Sequence, residues 1–127
     1  MTDSSYPTLG LLQQARNGDG GSLGVLLRKY FRYLNSLSHG HLDDRIEIRV
    51  SASDIVQETL LEAHRDFSKF SGTSIEEFTG WLRRILFNNL ATAIEKHVLA
   101  EKRDVRKQRS LDQAVGDADH SKARLAR

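Results

Sequence analysis

Several groups of side chains have types and spacings that chemistry could use. The five histidines, His39, His41, His64, His97 and His120, are the natural metal ligands of a chain without cysteine. They form no H-E-x-x-H, and none has a Glu three residues ahead of it, as a carboxylate-bridged metal site in a helical bundle needs. His39-Gly40-His41 could hold a metal, but a loop pair without acidic or thiol support reads as solvated. Gly18-Asp19-Gly20-Gly21 lacks the Lys-Ser/Thr of a phosphate-binding loop and follows no strand, so it reads as a turn. No metal, no cofactor and no enzymatic activity are expected.

Two further groups carry more. Asp54, Gln57, Glu58 and Leu61 fall on one stripe of a helix, with Arg65 beside them. Read blandly, this is a solvated face with one exposed leucine. Read sharply, it is a docking site whose carboxylates meet Arg or Lys at the rim while Leu61 fills a pocket. The second group is basic: Lys96-His97 and the run Lys102-Arg103-Asp104-Val105-Arg106-Lys107-Gln108-Arg109 follow an Asn pair, Asn88-Asn89, and the aromatics Phe78, Trp81 and Phe87. Lys and Arg neutralise phosphates, Asn hydrogen-bonds base edges and aromatic rings stack on unpaired bases. The same aromatics also fit a core, and the same charges fit a solvated helix end.

The elements that must position these groups are helical. Residues 1–8 read as a frayed leader. Thr8 could cap a helix over Leu9–Asn17, ended by the glycine cluster. Leu23, Leu26, Leu27, Tyr30, Leu34 and Leu37 recur at helical spacing and predict one helix over Ser22–Ser38, stopped by Gly40. His41 to Ser53 is expected as a connector whose Ile46-Glu47-Ile48-Arg49-Val50 is extended. Ser53 is the expected N-cap of a third helix, with Val56, Leu60, Ala63, Phe67 and Phe70 inward and Asp54 in the first turn. Ser71-Gly72-Thr73 breaks it. Ser74-x-x-Glu77 is a capping box opening a fourth helix that carries Phe78, Trp81, Leu82, Ile85 and Leu86 and is expected to run to about Arg103. Residues 113–127 read as a linker or tail. The expected fold is all-α, a compact four-helix bundle with a long basic last helix.

The 127 residues fit one ordinary domain. With no cysteine, no apolar run long enough to span a bilayer and no signal-peptide pattern in MTDSSYPTLG, the expected location is cytoplasmic, without membrane insertion. The formal charge of +2 hides a split. Residues 43–78 hold nine acids against four bases, a balance of −5, and residues 81–110 hold eight bases against three acids, a balance of +5. The first segment suits a basic protein partner and the second an anion.

The segment Ser53-Asp54-Ile55-Val56-Gln57-Glu58-Thr59-Leu60-Leu61-Glu62-Ala63 resembles the D-x-V-Q-E-T helix of region 2 in bacterial sigma factors. Phe78-Thr79-Gly80-Trp81-Leu82-Arg83-Arg84-Ile85-Leu86-Phe87-Asn88-Asn89-Leu90 is similar to the W-L-x-x-I-x-x-N helix of the extracytoplasmic-function type, and Ser110-Leu111-Asp112 is similar to the segment that closes that domain. The resemblance covers residues 9–112. It implies a transcription-initiation specificity subunit whose D-x-V-Q-E helix binds the clamp helices of the RNA polymerase β′ subunit, here through Asp54, Gln57, Glu58 and Leu61. It further implies recognition of the separated promoter −10 element, with a non-template base flipped from the stack. That role maps onto the loop Phe70, Ser71, Gly72, Thr73 and Ser74 and onto Arg84, Asn88, Lys96, Arg103 and Arg106. An anti-sigma factor is a further partner consistent with it. Family members also carry a helix-turn-helix region for the −35 element, which residues 113–127 do not contain, so duplex binding by this chain alone is expected to be weak.

Two other readings stay open from the residues. One is an adaptor that binds polymerase without initiating. The other is a helical bundle that binds nucleic acid regardless of sequence, with affinity falling steeply as salt rises.

Overall fold

The computed structural model describes residues 5–42 and 51–125. The segment Ile46–Val50, expected as extended, lies outside the described residues. Among those described, the structure is all-helical: α1 (Ser5–Arg16), α2 (Gly20–Lys29), α3 (Phe31–His41), α4 (Ala52–Arg65), a 3-10 turn (Phe67–Lys69) and α5 (Ile75–Leu125). The chain divides into two units, Met1–Ala93 and Ile94–Arg127.

In the first unit α1 begins at Ser5, within the segment expected as a leader, and ends as the glycine cluster predicts. Gly18 takes φ +98°, the left-handed region that a side chain would disfavour. Gly18 N–H then reaches Ala15 O and Asp19 N–H reaches Gln14 O, the paired bonds of a Schellman motif. Asp19 immediately caps α2, accepting from Ser22 N at 3.1 Å. Its carboxyl pKa is lowered chiefly by that backbone bond and then by the Ser22 hydroxyl.

The single helix expected over Ser22–Ser38 is two, broken at Tyr30. Tyr30 N–H bonds Leu27 O, three residues back, which tightens the last turn of α2. The Tyr30 ring meets the Phe78 ring edge-on at 5.5 Å, and its hydroxyl lies 2.8 Å from Thr79 Oγ1. Gly40 does not stop α3, which continues to His41.

The N-cap of α4 is Ser51 rather than Ser53: the Ser51 hydroxyl accepts from Asp54 N at 3.3 Å. Starting the helix there buries Ala52 along with Ile55, Val56, Thr59 and Ala63. The inward face keeps the expected Val56 and Ala63 and adds Ile55 and Thr59. Leu60 is only half-buried, and Phe67 and Phe70 lie beyond the helix. The capping box opening α5 forms as expected, with Glu77 N donating to Ser74 Oγ at 3.1 Å and Glu77 Oε1 accepting from Ser74 N at 3.3 Å. From there Phe78, Leu82, Leu86 and Leu90 face the core with Leu12, Leu26, Leu34 and Val56. α1 packs on α2, and both α2 and α3 pack on α4.

In the second unit α5 does not end near Arg103 but continues to Leu125, through the residues read as a linker or tail. The basic run is thus on a helix throughout, and its residues from Lys102 to Arg109 are exposed.

Candidate functional site

The stripe on α4 is where the helical wheel puts it. Asp54, Gln57, Glu58, Leu61 and Arg65 are all exposed. Leu61 stands out at 73% accessible, the highest among the exposed large hydrophobic residues of the described chain. Its opposite face carries Ile55, Val56, Thr59 and Ala63, which anchor α4. The helix therefore presents an exposed leucine with two carboxylates and an amide on its N-terminal side. Arg65 pairs with Asp66, its Nε 3.0 Å from Asp66 Oδ1. The pair, its hydrogen bonds first, lowers the Asp66 pKa and raises that of Arg65.

The loop Phe70–Ser74 divides into scaffold and surface. Phe70 is expected among the residues that meet DNA, but its ring is buried against Phe78 at 5.5 Å and Trp81 at 5.3 Å. It shapes the loop instead of standing free to stack on a base. Gly72 is also buried; a Cβ there would lie 2.6 Å from Phe70 Cζ and 2.8 Å from Glu77 Cβ, so no larger residue fits without displacing a core ring. The Ser74 hydroxyl is committed to the capping box, donating to Glu77 Oε1 at 3.0 Å. Ser71 and Thr73 are exposed.

Beside this loop opens a cleft of about 520 Å³ lined by Lys69, Ser71, Gly72, Glu77, Trp81 and Arg84. It sets two cations and the Glu77 carboxylate beside a half-buried indole, with Lys69 Nζ 3.8 Å from Asp66 Oδ1; the cations and the ring are the groups that hold a phosphate and a flat base. Trp81 is among the aromatics that the sequence offers either to a base or to the core, whereas nothing in the sequence singles out Lys69 for this role. Only the fold shows that the 3-10 turn brings Lys69 to the cleft in which Trp81 and Arg84 stand.

The Asn pair separates cleanly. Asn88 is exposed, one helical turn beyond Arg84 on the same face. Asn89 instead donates from Nδ2 to Thr59 Oγ1 at 3.0 Å, tying α5 to α4. Thr59 is fully buried and its hydroxyl in turn donates to Ile55 O at 2.8 Å.

In the second unit Lys96, Arg103 and Arg106 are exposed and fall within an arc of about 80° of the helix, judged at 100° per residue. His97 is buried and its Nε2 lies 3.2 Å from Glu101 Oε1. Of the pair His39 and His41, both exposed, His41 uses Nδ1 to meet Leu37 O at 2.8 Å. Among the described residues no group of three or more His, Cys, Asp or Glu could hold a metal ion, and no helix is long and apolar enough to cross a membrane.

Compared with known proteins, the chain matches no family, no curated protein and no solved structure.

Proposed function

We propose that this chain is a transcription-initiation specificity module of sigma region 2 type, which docks on the β′ clamp helices of RNA polymerase through α4 and engages the separated promoter −10 element through the cleft beside α5. The observation that carries this reading is the α4 face, where Leu61 is 73% accessible and is flanked by exposed Asp54, Gln57 and Glu58. These positions are the ones that the resemblance to the D-x-V-Q-E-T helix singles out. A leucine so exposed at the end of a polar stripe suits a partner pocket better than water.

The cleft adds support on the DNA side. Lys69 and Arg84 supply charge for phosphates, and Trp81 supplies a stacking surface. Capturing an unstacked base there shifts the melting equilibrium of a flexible A-T-rich step without nucleotide hydrolysis. The role is recognition rather than bond chemistry.

The test is binding to an isolated β′ clamp-helix fragment by calorimetry at stated salt, comparing wild type with Gln57→Ala/Glu58→Ala. Binding weakened at least about tenfold in the variant, with thermal stability kept, is the expected result. Wild-type protein that ignores a folded clamp fragment would contradict it and favour the sequence-independent nucleic-acid-binding bundle. Promoter-dependent transcription then separates an initiating subunit from an adaptor.

A further inference from the structure

The 70–74 loop is held from two sides by charged groups of opposite sign. From α5, the Glu77 carboxylate accepts from Thr73 N at 3.4 Å and Ser74 N at 3.3 Å. From the end of α1, one terminal guanidinium nitrogen of Arg16 donates to Gly72 O and, at 3.3 Å, to Phe70 O. The same guanidinium lies over the Phe70 ring, 5.8 Å from its centroid. Arg16 is far from the loop in sequence, separated by 56 positions from Gly72. It lines no part of the cleft formed by Lys69, Trp81 and Arg84.

A surface loop that leaves its carbonyls to water samples many arrangements, and ordering it on ligand binding costs affinity. Here both hydrogens of one nitrogen are spent on two carbonyls that flank Ser71, while Glu77 fixes the following amides. We propose that Arg16 is a positioning residue: by clamping the Phe70 and Gly72 carbonyls from α1 it holds the loop, and with it the wall of the cleft, in a ligand-ready form before nucleic acid arrives. This role rests on the cleft reading of the preceding subsection for its consequence, but not for its mechanics. Gly72 is part of the same device, because the close approach of Phe70 and Glu77 that Arg16 braces leaves no room for a Cβ.

The test uses the whole chain with Arg16→Gln and Arg16→Lys. Gln removes the charge and the reach; Lys keeps the charge but ends one bond short. Three readouts are taken. Amide hydrogen exchange at Thr73 and Ser74 is expected to accelerate about tenfold in Arg16→Gln, and less in Arg16→Lys, while amides in the middle of α4 stay unchanged. Iodide quenching of Trp81, the single tryptophan, is expected to increase. Affinity for a single-stranded TA-repeat dodecamer is expected to fall several-fold while affinity for the clamp fragment holds. Unchanged exchange at Thr73 and Ser74 in both variants would overturn the proposal, as would loosened amides with undiminished dodecamer binding. Wild-type protein that binds neither dodecamer nor clamp fragment contradicts the proposed function itself, and the exchange readout then still decides whether Arg16 holds the loop.

Discussion

Thr59 and Asn89 show what a single buried bond contributes. The Thr59 hydroxyl is sealed from solvent and has its donor on Ile55 O, so the Asn89 amide satisfies its remaining acceptor capacity and stitches α4 to α5. Asn89→Ala is expected to cost about 1–2 kcal/mol in urea unfolding, and Asn88→Ala less than about 0.5 kcal/mol. Equal losses at the two sites would contradict this assignment. In the sequence the pair is symmetric, and either amide fits a base edge or a bundle bond. Only the 100° step between neighbours on a helix, combined with the actual inward face, sends one to Thr59 and the other to water. Leu61 was legible for the opposite reason, since its exposure follows from the wheel alone. Phe70 carries two expectations, inward by its spacing and toward DNA by the resemblance, and its burial against Phe78 and Trp81 fits the first and not the second.

At the scale of elements, signals that are local in sequence were legible and those set by packing were not. The capping box at Ser74 and Glu77 and the left-handed Gly18 stop depend on nearest neighbours, and both are found. The break at Tyr30 depends on Phe78 and Thr79, far along the chain, while the apolar spacing runs straight through it. The start of α4 moved to Ser51 because Ala52 joins the core, which no local preference between two serines reveals.

The capping box also makes a pH prediction. The Glu77 carboxyl sits below its ordinary value of 4.5, held there first by the Ser74 hydroxyl and then by the Thr73 and Ser74 amides, with Arg16 adding a favourable charge. A carboxyl whose folded pKa is depressed contributes stability that is complete above its unfolded value and is lost as pH falls through the folded one. Protection of the Thr73 and Ser74 amides, corrected for intrinsic exchange, is therefore expected to hold at pH 6 and to decline on acidification below about pH 4.5. In Glu77→Gln that decline should disappear. A pH-independent protection in wild type would show that the carboxylate does not hold the loop.

At the scale of the molecule, the division of charge along the sequence has a counterpart in the surfaces. The acidic segment supplies the α4 face, and the basic segment supplies Arg84 beside the cleft and the exposed run on the second unit. If Arg103 and Arg106 each neutralise one phosphate, replacing either with Ala should weaken binding to a single-stranded dodecamer and reduce the slope of log affinity against log salt by about 0.7. An unchanged slope would place these residues off the nucleic-acid path. The sequence alone could assign the sign of each segment but not the cleft, because Lys69 reaches Trp81 and Arg84 only through the 3-10 turn that follows α4.

The most direct measurement is site-specific photocrosslinking from position 61. A photoreactive phenylalanine analogue replacing Leu61, which is 73% exposed, leaves the core untouched and keeps an apolar side chain on the proposed docking face. Mixed with core RNA polymerase, irradiated and mapped by mass spectrometry, it should crosslink to the β′ clamp helices, and Gln57→Ala/Glu58→Ala in the same chain should abolish the crosslink. Crosslinks confined to other polymerase surfaces would contradict the assignment of α4 as the polymerase-docking helix.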